Sequence, residues 1–108
     1  MNKPFLKIID GKRYNTATAT EVAQWCNNYP TSDFKFCWEI LYRTSKGTWF
    51  LVGQGGAQSK YSRSYGNHGS CGGRDLIVLS ETEAKAWLEA HEQNEALESY
   101  FADQLEDA

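Results

Sequence analysis

Apolar and polar positions form short extended stretches near the start and middle of the chain, and apolar positions recur at three- and four-residue intervals in residues 19–28 and in the last quarter. Phe5 to Ile9 is a short apolar stretch closed by Asp10-Gly11. Asp-Gly between extended segments predicts a hairpin, because both central turn positions favour positive φ, and Arg13-Tyr14 opens the return strand. Thr18-Ala19-Thr20-Glu21 has capping-box spacing, in which a hydroxyl accepts from a free helix N–H and a glutamate three residues on reaches back. It predicts an N-terminal helix from about Ala19 to Asn28 with Val22, Trp25 and Cys26 at helical spacing. Tyr29-Pro30 would end it, since the residue before proline avoids the α region.

Phe34 to Tyr42 reads as a strand, with Phe36, Trp38, Ile40 and Tyr42 alternating against Cys37, Glu39 and Leu41. Ser45-Lys46-Gly47 is a turn and Thr48 to Val52 the next strand, which together make a central antiparallel hairpin. Residues 53–73 hold seven of the nine glycines. Ordering glycine costs conformational entropy, so a long loop or a loop with a short helical insert is expected there. Leu76 to Leu79 is a short buried strand. Ser80-Glu81-Thr82-Glu83 is a second capping box, followed by Ala84, Trp87, Leu88 and His91 on one helix face. Leu97, Tyr100, Phe101 and Leu105 repeat that spacing, with a continuation or a break near Gln93-Asn94. No internal repeat or Pro/Ser-rich linker interrupts the chain. The expected fold class is α+β: one domain over residues 1–108, with a small antiparallel sheet, an N-terminal helix and a C-terminal helical segment.

Composition narrows the class without naming a chemistry. A length of 108 residues suits one domain. Four Trp, six Tyr and five Phe can fill one core and argue against disorder. No apolar run approaches the roughly 20 residues of a membrane span, and Met1-Asn2-Lys3-Pro4 leads into no signal-peptide apolar stretch. Three cysteines cannot all pair within one chain, so a reducing cytoplasm is expected. The net charge of -3 hides an asymmetry: residues 1–80 carry +5 and residues 81–108 carry -8. Such an acidic end either solvates a helix or meets a basic partner, and it repels phosphates.

Catalytic and metal motifs are weak. Cys26, Cys37, His68 and Cys71 have the number for tetrahedral zinc, but only His68-x-x-Cys71 has close spacing. A Cys71–His68 nucleophile pair needs an activated thiol and an oriented base, and the sequence signals neither. Gly53-Gln54-Gly55-Gly56 lacks the Lys-Ser/Thr of a phosphate-binding loop. Lys60, Arg63 and Arg74, with Tyr61 and Tyr65, form a basic and aromatic cluster of the kind that holds single-stranded nucleic acid. No metal or cofactor is called for.

Three stretches carry a resemblance. Ile9-Asp10-Gly11-Lys12-Arg13-Tyr14-Asn15-Thr16 leads into Ala19-Thr20-Glu21, and Leu41-Tyr42-Arg43-Thr44 into Gly47-Thr48-Trp49-Phe50-Leu51 and Gly53-Gln54-Gly55-Gly56-Ala57. Leu79-Ser80-Glu81 leads into Glu83-Ala84 and Trp87-Leu88-Glu89. From Ile9 to Glu89 this order resembles a group of small proteins of bacterial mobile elements and phages. In size, charge and lack of a catalytic motif the chain is similar to anti-CRISPR inhibitors. That resemblance implies a non-enzymatic protein of the bacterial cytoplasm, which binds a CRISPR-Cas effector and blocks nucleic acid access through an acidic surface. Glu89, Glu92, Glu95, Glu98, Asp103, Glu106 and Asp107 supply the charge. The rival expectation is a small nucleic-acid-binding regulator that uses the basic loop around Lys60, Arg63 and Arg74. The C-terminal aromatic stripe suits a symmetric homodimer and equally an internal core.

Overall fold

The computed structural model describes residues 4–64 and 69–108. In chain order the elements are β1 (Leu6–Ile9), β2 (Lys12–Asn15), β3 (Thr20–Cys26), β4 (Cys37–Arg43), β5 (Trp49–Gly55), β6 (Arg63–Ser64), β7 (Ser70–Cys71) and β8 (Gly73–Leu79). Helices α1 (Glu81–Ala90) and α2 (Asn94–Tyr100) follow, then a 3-10 turn at Ala102–Gln104. The main sheet has four antiparallel strands in the order β3-β4-β5-β8, and β1-β2 and β6-β7 are separate two-stranded pairs. Asp10 and Gly11 take φ of 52° and 74°, the left-handed pair a two-residue hairpin turn requires. Among the described residues no helix is long and apolar enough to cross a membrane.

The expected N-terminal helix over 19–28 is instead strand β3, and the domain is mostly sheet with its helices at the C-terminal end. The cause of the misreading is a β-bulge. Glu21 pairs with Tyr42 and Ala23 with Leu41, which leaves Val22 as an extra residue. Val22 and Ala23 therefore both pack on the helix-side core, and Trp25 shares that side by stacking on His91. A bulge so placed puts residues three apart on one face, as a helix would. The capping-box residues are used otherwise. Asn15 Oδ1 accepts the Ala17 N–H at 2.9 Å, the Thr18 hydroxyl donates to the Asn15 carbonyl at 3.3 Å, and Glu21 accepts from Gln24.

The glycine-rich stretch also differs from a long loop. Gly53 and Gly55 complete β5, and Gly73 opens β8 opposite Gly55. Residues 65–68 lie outside the described residues, so nothing is assigned to Tyr65 or His68.

Strand alternation sends the sheet's side chains to two cores. Leu41, Trp49 and Leu51 face the helices and meet Ala84, Leu88, Leu97 and Phe101. Phe50, Val52 and Leu76 face the β1-β2 hairpin and meet Tyr14, with Phe5, Ile9, Ala19 and Tyr42 around them. The C-terminal stripe is thus largely spent inside the chain: Leu97 and Phe101 are buried, while Tyr100 and Leu105 stay exposed. The Arg43 guanidinium lies 5.3 Å from the Trp49 ring and 5.7 Å from the Tyr100 ring, a cation-π bridge from sheet to α2. Outer strand β8 is protected against stray strand pairing. Arg63 Nη2 donates to the Arg74 carbonyl at 2.7 Å and Lys7 Nζ to the Leu76 carbonyl at 3.5 Å, two residues apart and so on one side of the strand.

The second capping box is formed as expected: the Glu83 N–H donates to Ser80 Oγ at 3.1 Å and the Ser80 N–H donates to Glu83 Oε1 at 2.8 Å. Ser80→Ala is expected to lose about 1 kcal/mol in urea unfolding. Thr18→Ala, at the box that does not form, should change stability by less than about 0.5 kcal/mol. Equal losses at both sites would contradict the assignment of residues 20–26 to a strand.

Candidate functional site

The most unusual group in the fold is a buried carboxylate. Glu39 lies between Cys37 and Leu41 on the helix-facing row of β4, and only 1% of its surface is exposed. Across the sheet it pairs with Gly53. Because Gly53 has no side chain, the Tyr61 ring lies over its Cα, where any Cβ would overlap the ring. A turn delivers that ring: Ser59 Oγ donates to the Gly56 carbonyl at 2.8 Å and accepts the Tyr61 N–H at 3.2 Å.

Three donors converge on Glu39. Trp87 Nε1 of α1 donates to Oε1 at 3.0 Å, Lys60 Nζ reaches Oε2 at 2.6 Å, and the Tyr61 hydroxyl makes a short hydrogen bond to the same oxygen. Burial pushes the carboxyl's pKa up, but the bonds from Lys60, Tyr61 and Trp87 outweigh it and hold Glu39 below the usual glutamate value. Tyr61 responds in the opposite direction: burial and the Glu39 charge raise its phenol far above the usual range. His91 Nε2 is 3.9 Å from Glu39 Oε1, and its ring sits 4.3 Å from Trp25 and 4.7 Å from Trp87. Burial pulls its pKa below the ordinary histidine value against the opposing pull of Glu39. Burial and the Glu39 charge also raise the Cys37 thiol, which makes it a poor nucleophile at neutral pH. The cluster therefore holds an ionised carboxylate with a donor on each of its oxygens. It ties β4, the 56–61 turn and α1 together.

The expected acidic surface is distributed over α1, α2 and the segment after it. Glu89, Glu92, Glu95, Glu98, Asp103, Glu106 and Asp107 are all exposed, and none forms a salt bridge among the described residues. Glu98, Glu106 and Asp107 share one open depression with Leu97 and Leu105. The basic loop is only partly brought together. Lys60 and Tyr61 are engaged on Glu39, and Tyr61 is buried. Arg63 is exposed but bonded to the Arg74 carbonyl, and the Arg74 guanidinium sits 4.8 Å from the Phe5 ring. Tyr65 lies outside the described residues.

Cys26 and Cys71 are exposed and Cys37 is buried; His68 lies outside the described residues, and among those described no group of three His, Cys, Asp or Glu gathers. Sequence reasoning did not single out Glu39, although a charged residue in the Cys37–Glu39–Leu41 row of an otherwise apolar strand was a visible signal. Neither a family model, a curated protein nor a solved structure matches the chain.

Glu39→Ala leaves the buried Tyr61 hydroxyl and the Trp87 N–H without their acceptor, while the exposed Lys60 returns to water, and should cost about 1–3 kcal/mol. Tyr61→Phe keeps the ring over Gly53 and should cost about 1–3 kcal/mol. Because the folded-state pKa of Glu39 is depressed, its stabilisation is complete above the unfolded-state value and fades as pH falls through the folded value. Depressed His91 acts in the same direction at higher pH, since protonating it opposes folding. Thermal melts from neutral to acidic pH should therefore fall less steeply for Glu39→Gln than for the unaltered protein. Parallel curves would show that Glu39 is not the group being protonated.

Proposed function

We propose that the chain is a non-enzymatic binding protein that docks its acidic C-terminal face on a cationic protein surface. The partner class is a CRISPR-Cas effector of the bacterial cytoplasm, and docking blocks access of nucleic acid to it. One observation carries this reading: seven exposed carboxylates on the C-terminal segment have no salt-bridge partner among the described residues, and three of them rim a depression with exposed Leu105. Unneutralised charge steers a complementary partner and rejects one of like sign. Effector channels that hold guide and target strands are positively charged, so an acidic face competes there with phosphates. Exposed Leu105 adds apolar area beside these carboxylates.

The reading predicts that the purified protein co-elutes with an effector complex from a panel of subtypes and displaces target DNA from it. Glu98→Lys, Glu106→Lys and Asp107→Lys together should weaken that binding at least about tenfold and abolish its salt sensitivity. Binding to no effector, together with intact interference in cells, would defeat the proposal. So would full inhibition by the charge-reversed variant.

A further inference from the structure

A second polar surface lies on the hairpin side of the sheet, away from the helices. Between β2 and the β4–β5 turn is a cleft of about 410 Å³, within the range of small-ligand sites. Lys12, Arg13 and Lys46 line it, together with the threonines Thr18, Thr44 and Thr48. No carboxylate is among the lining residues, although the chain as a whole carries -3. Asp10, in the neighbouring hairpin turn, is outside the lining. Lys7 and Lys60 are neutralised by Asp75 and Glu39, but Lys12, Arg13 and Lys46 form no salt bridge among the described residues. Three cations without a salt bridge among the described residues thus line one concavity.

We propose that this cleft binds a phosphate group. Its frame is set by backbone bonds: the Thr44 N–H donates to the Thr48 carbonyl at 2.8 Å, and the Gly47 N–H to the Thr44 carbonyl at 2.9 Å. Gly47, at φ 87°, closes the turn in a conformation that favours glycine. Thr44 Oγ1 accepts the Thr48 N–H at 3.0 Å, which leaves the hydroxyl's own proton to donate outward. Arg13 offers a planar fork suited to two phosphate oxygens, while Lys12 and Lys46 act as point charges. The aromatic residue in the lining, Tyr14, is only 6% exposed and packs edge-on against Phe50, so it offers no platform for stacking a base. Recognition therefore falls on the phosphate itself, carried either by a small phosphorylated molecule or by a nucleic acid backbone. This site is separate from the acidic face and does not depend on it.

The test is titration of the full chain with inorganic pyrophosphate and, separately, with a short single-stranded oligonucleotide, followed through backbone amide shifts. Both probes should move the amides of Gly11 and Thr44 to Thr48. Combined Lys12→Gln and Lys46→Gln, both at exposed positions, should weaken binding roughly tenfold or more without changing the melting temperature. The Glu98, Glu106 and Asp107 reversal should leave phosphate binding in place, which separates failure here from failure of the acidic-face reading. A much tighter, steeply salt-dependent oligonucleotide response would assign the phosphate to a nucleic acid backbone. Comparable responses would assign it to a small molecule. If neither probe moves these amides at millimolar concentration, or if the double variant binds as the unaltered protein does, the inference is overturned.

Discussion

The fold is organised around the burial of one negative charge. An ionised carboxylate taken out of water is tolerated only when its oxygens find donors, and Glu39 finds three, from Lys60, Tyr61 and Trp87. Satisfying it determines where three distant parts of the chain must be. Gly53 leaves the slot on the adjacent strand, Tyr61 fills the slot, and Trp87 sets the position of α1 on the sheet. The apolar cluster of Leu41, Leu51, Leu88 and Phe101 supplies non-directional attraction on the same face. The Glu39 bonds add direction, because a hydrogen bond weakens steeply with misalignment and a hydrophobic contact does not.

The same arrangement divides the surface electrically. Lys60, which by sequence belongs to a basic cluster, spends its charge internally on Glu39. Lys7 spends its charge on Asp75, and Arg63 caps an edge carbonyl. The carboxylates from Glu89 to Asp107 form no salt bridge among the described residues. Nor do the cations of the cleft beside the β4–β5 turn. Surface potential thus reflects which charges the fold has consumed as well as which residues the chain contains, and unconsumed charge is what steers a partner.

Legibility in the sequence followed the range of the interaction. The Asp10-Gly11 turn and the Ser80 capping box are decided within four or five residues, and the structure has both; whether the C-terminal helix runs on or breaks near Asn94 was open in the sequence, and the structure breaks it there. The β4-β5 hairpin was also visible, through alternation and the Ser45-Lys46-Gly47 turn. Residues 20–26 were misread because a single bulged residue, Val22, converts the two-residue period of a strand into a three-residue spacing. The glycines at 53, 55 and 73 were misread as loop because their role is to admit Tyr61, Ser59 and backbone from other segments. Of the candidate sites, exposure of the acidic residues was readable from composition. The engagement of Lys60 and Tyr61 was not, since Glu39 lies more than twenty positions away from them.

By itself, then, the amino-acid order determined the local turns, the first helix cap, the apolar stripe of the C-terminal helices and the separation of charge between the two parts of the chain. Each depends on neighbours close in sequence or on a simple tally of side chains. Only the tertiary structure decided that the segment after Thr18 is a strand, that Glu39 is the buried centre, and which cations remain unspent. Those outcomes depend on pairing register and on who shares a dry interior with whom. Neither is set until strands distant in the chain have met.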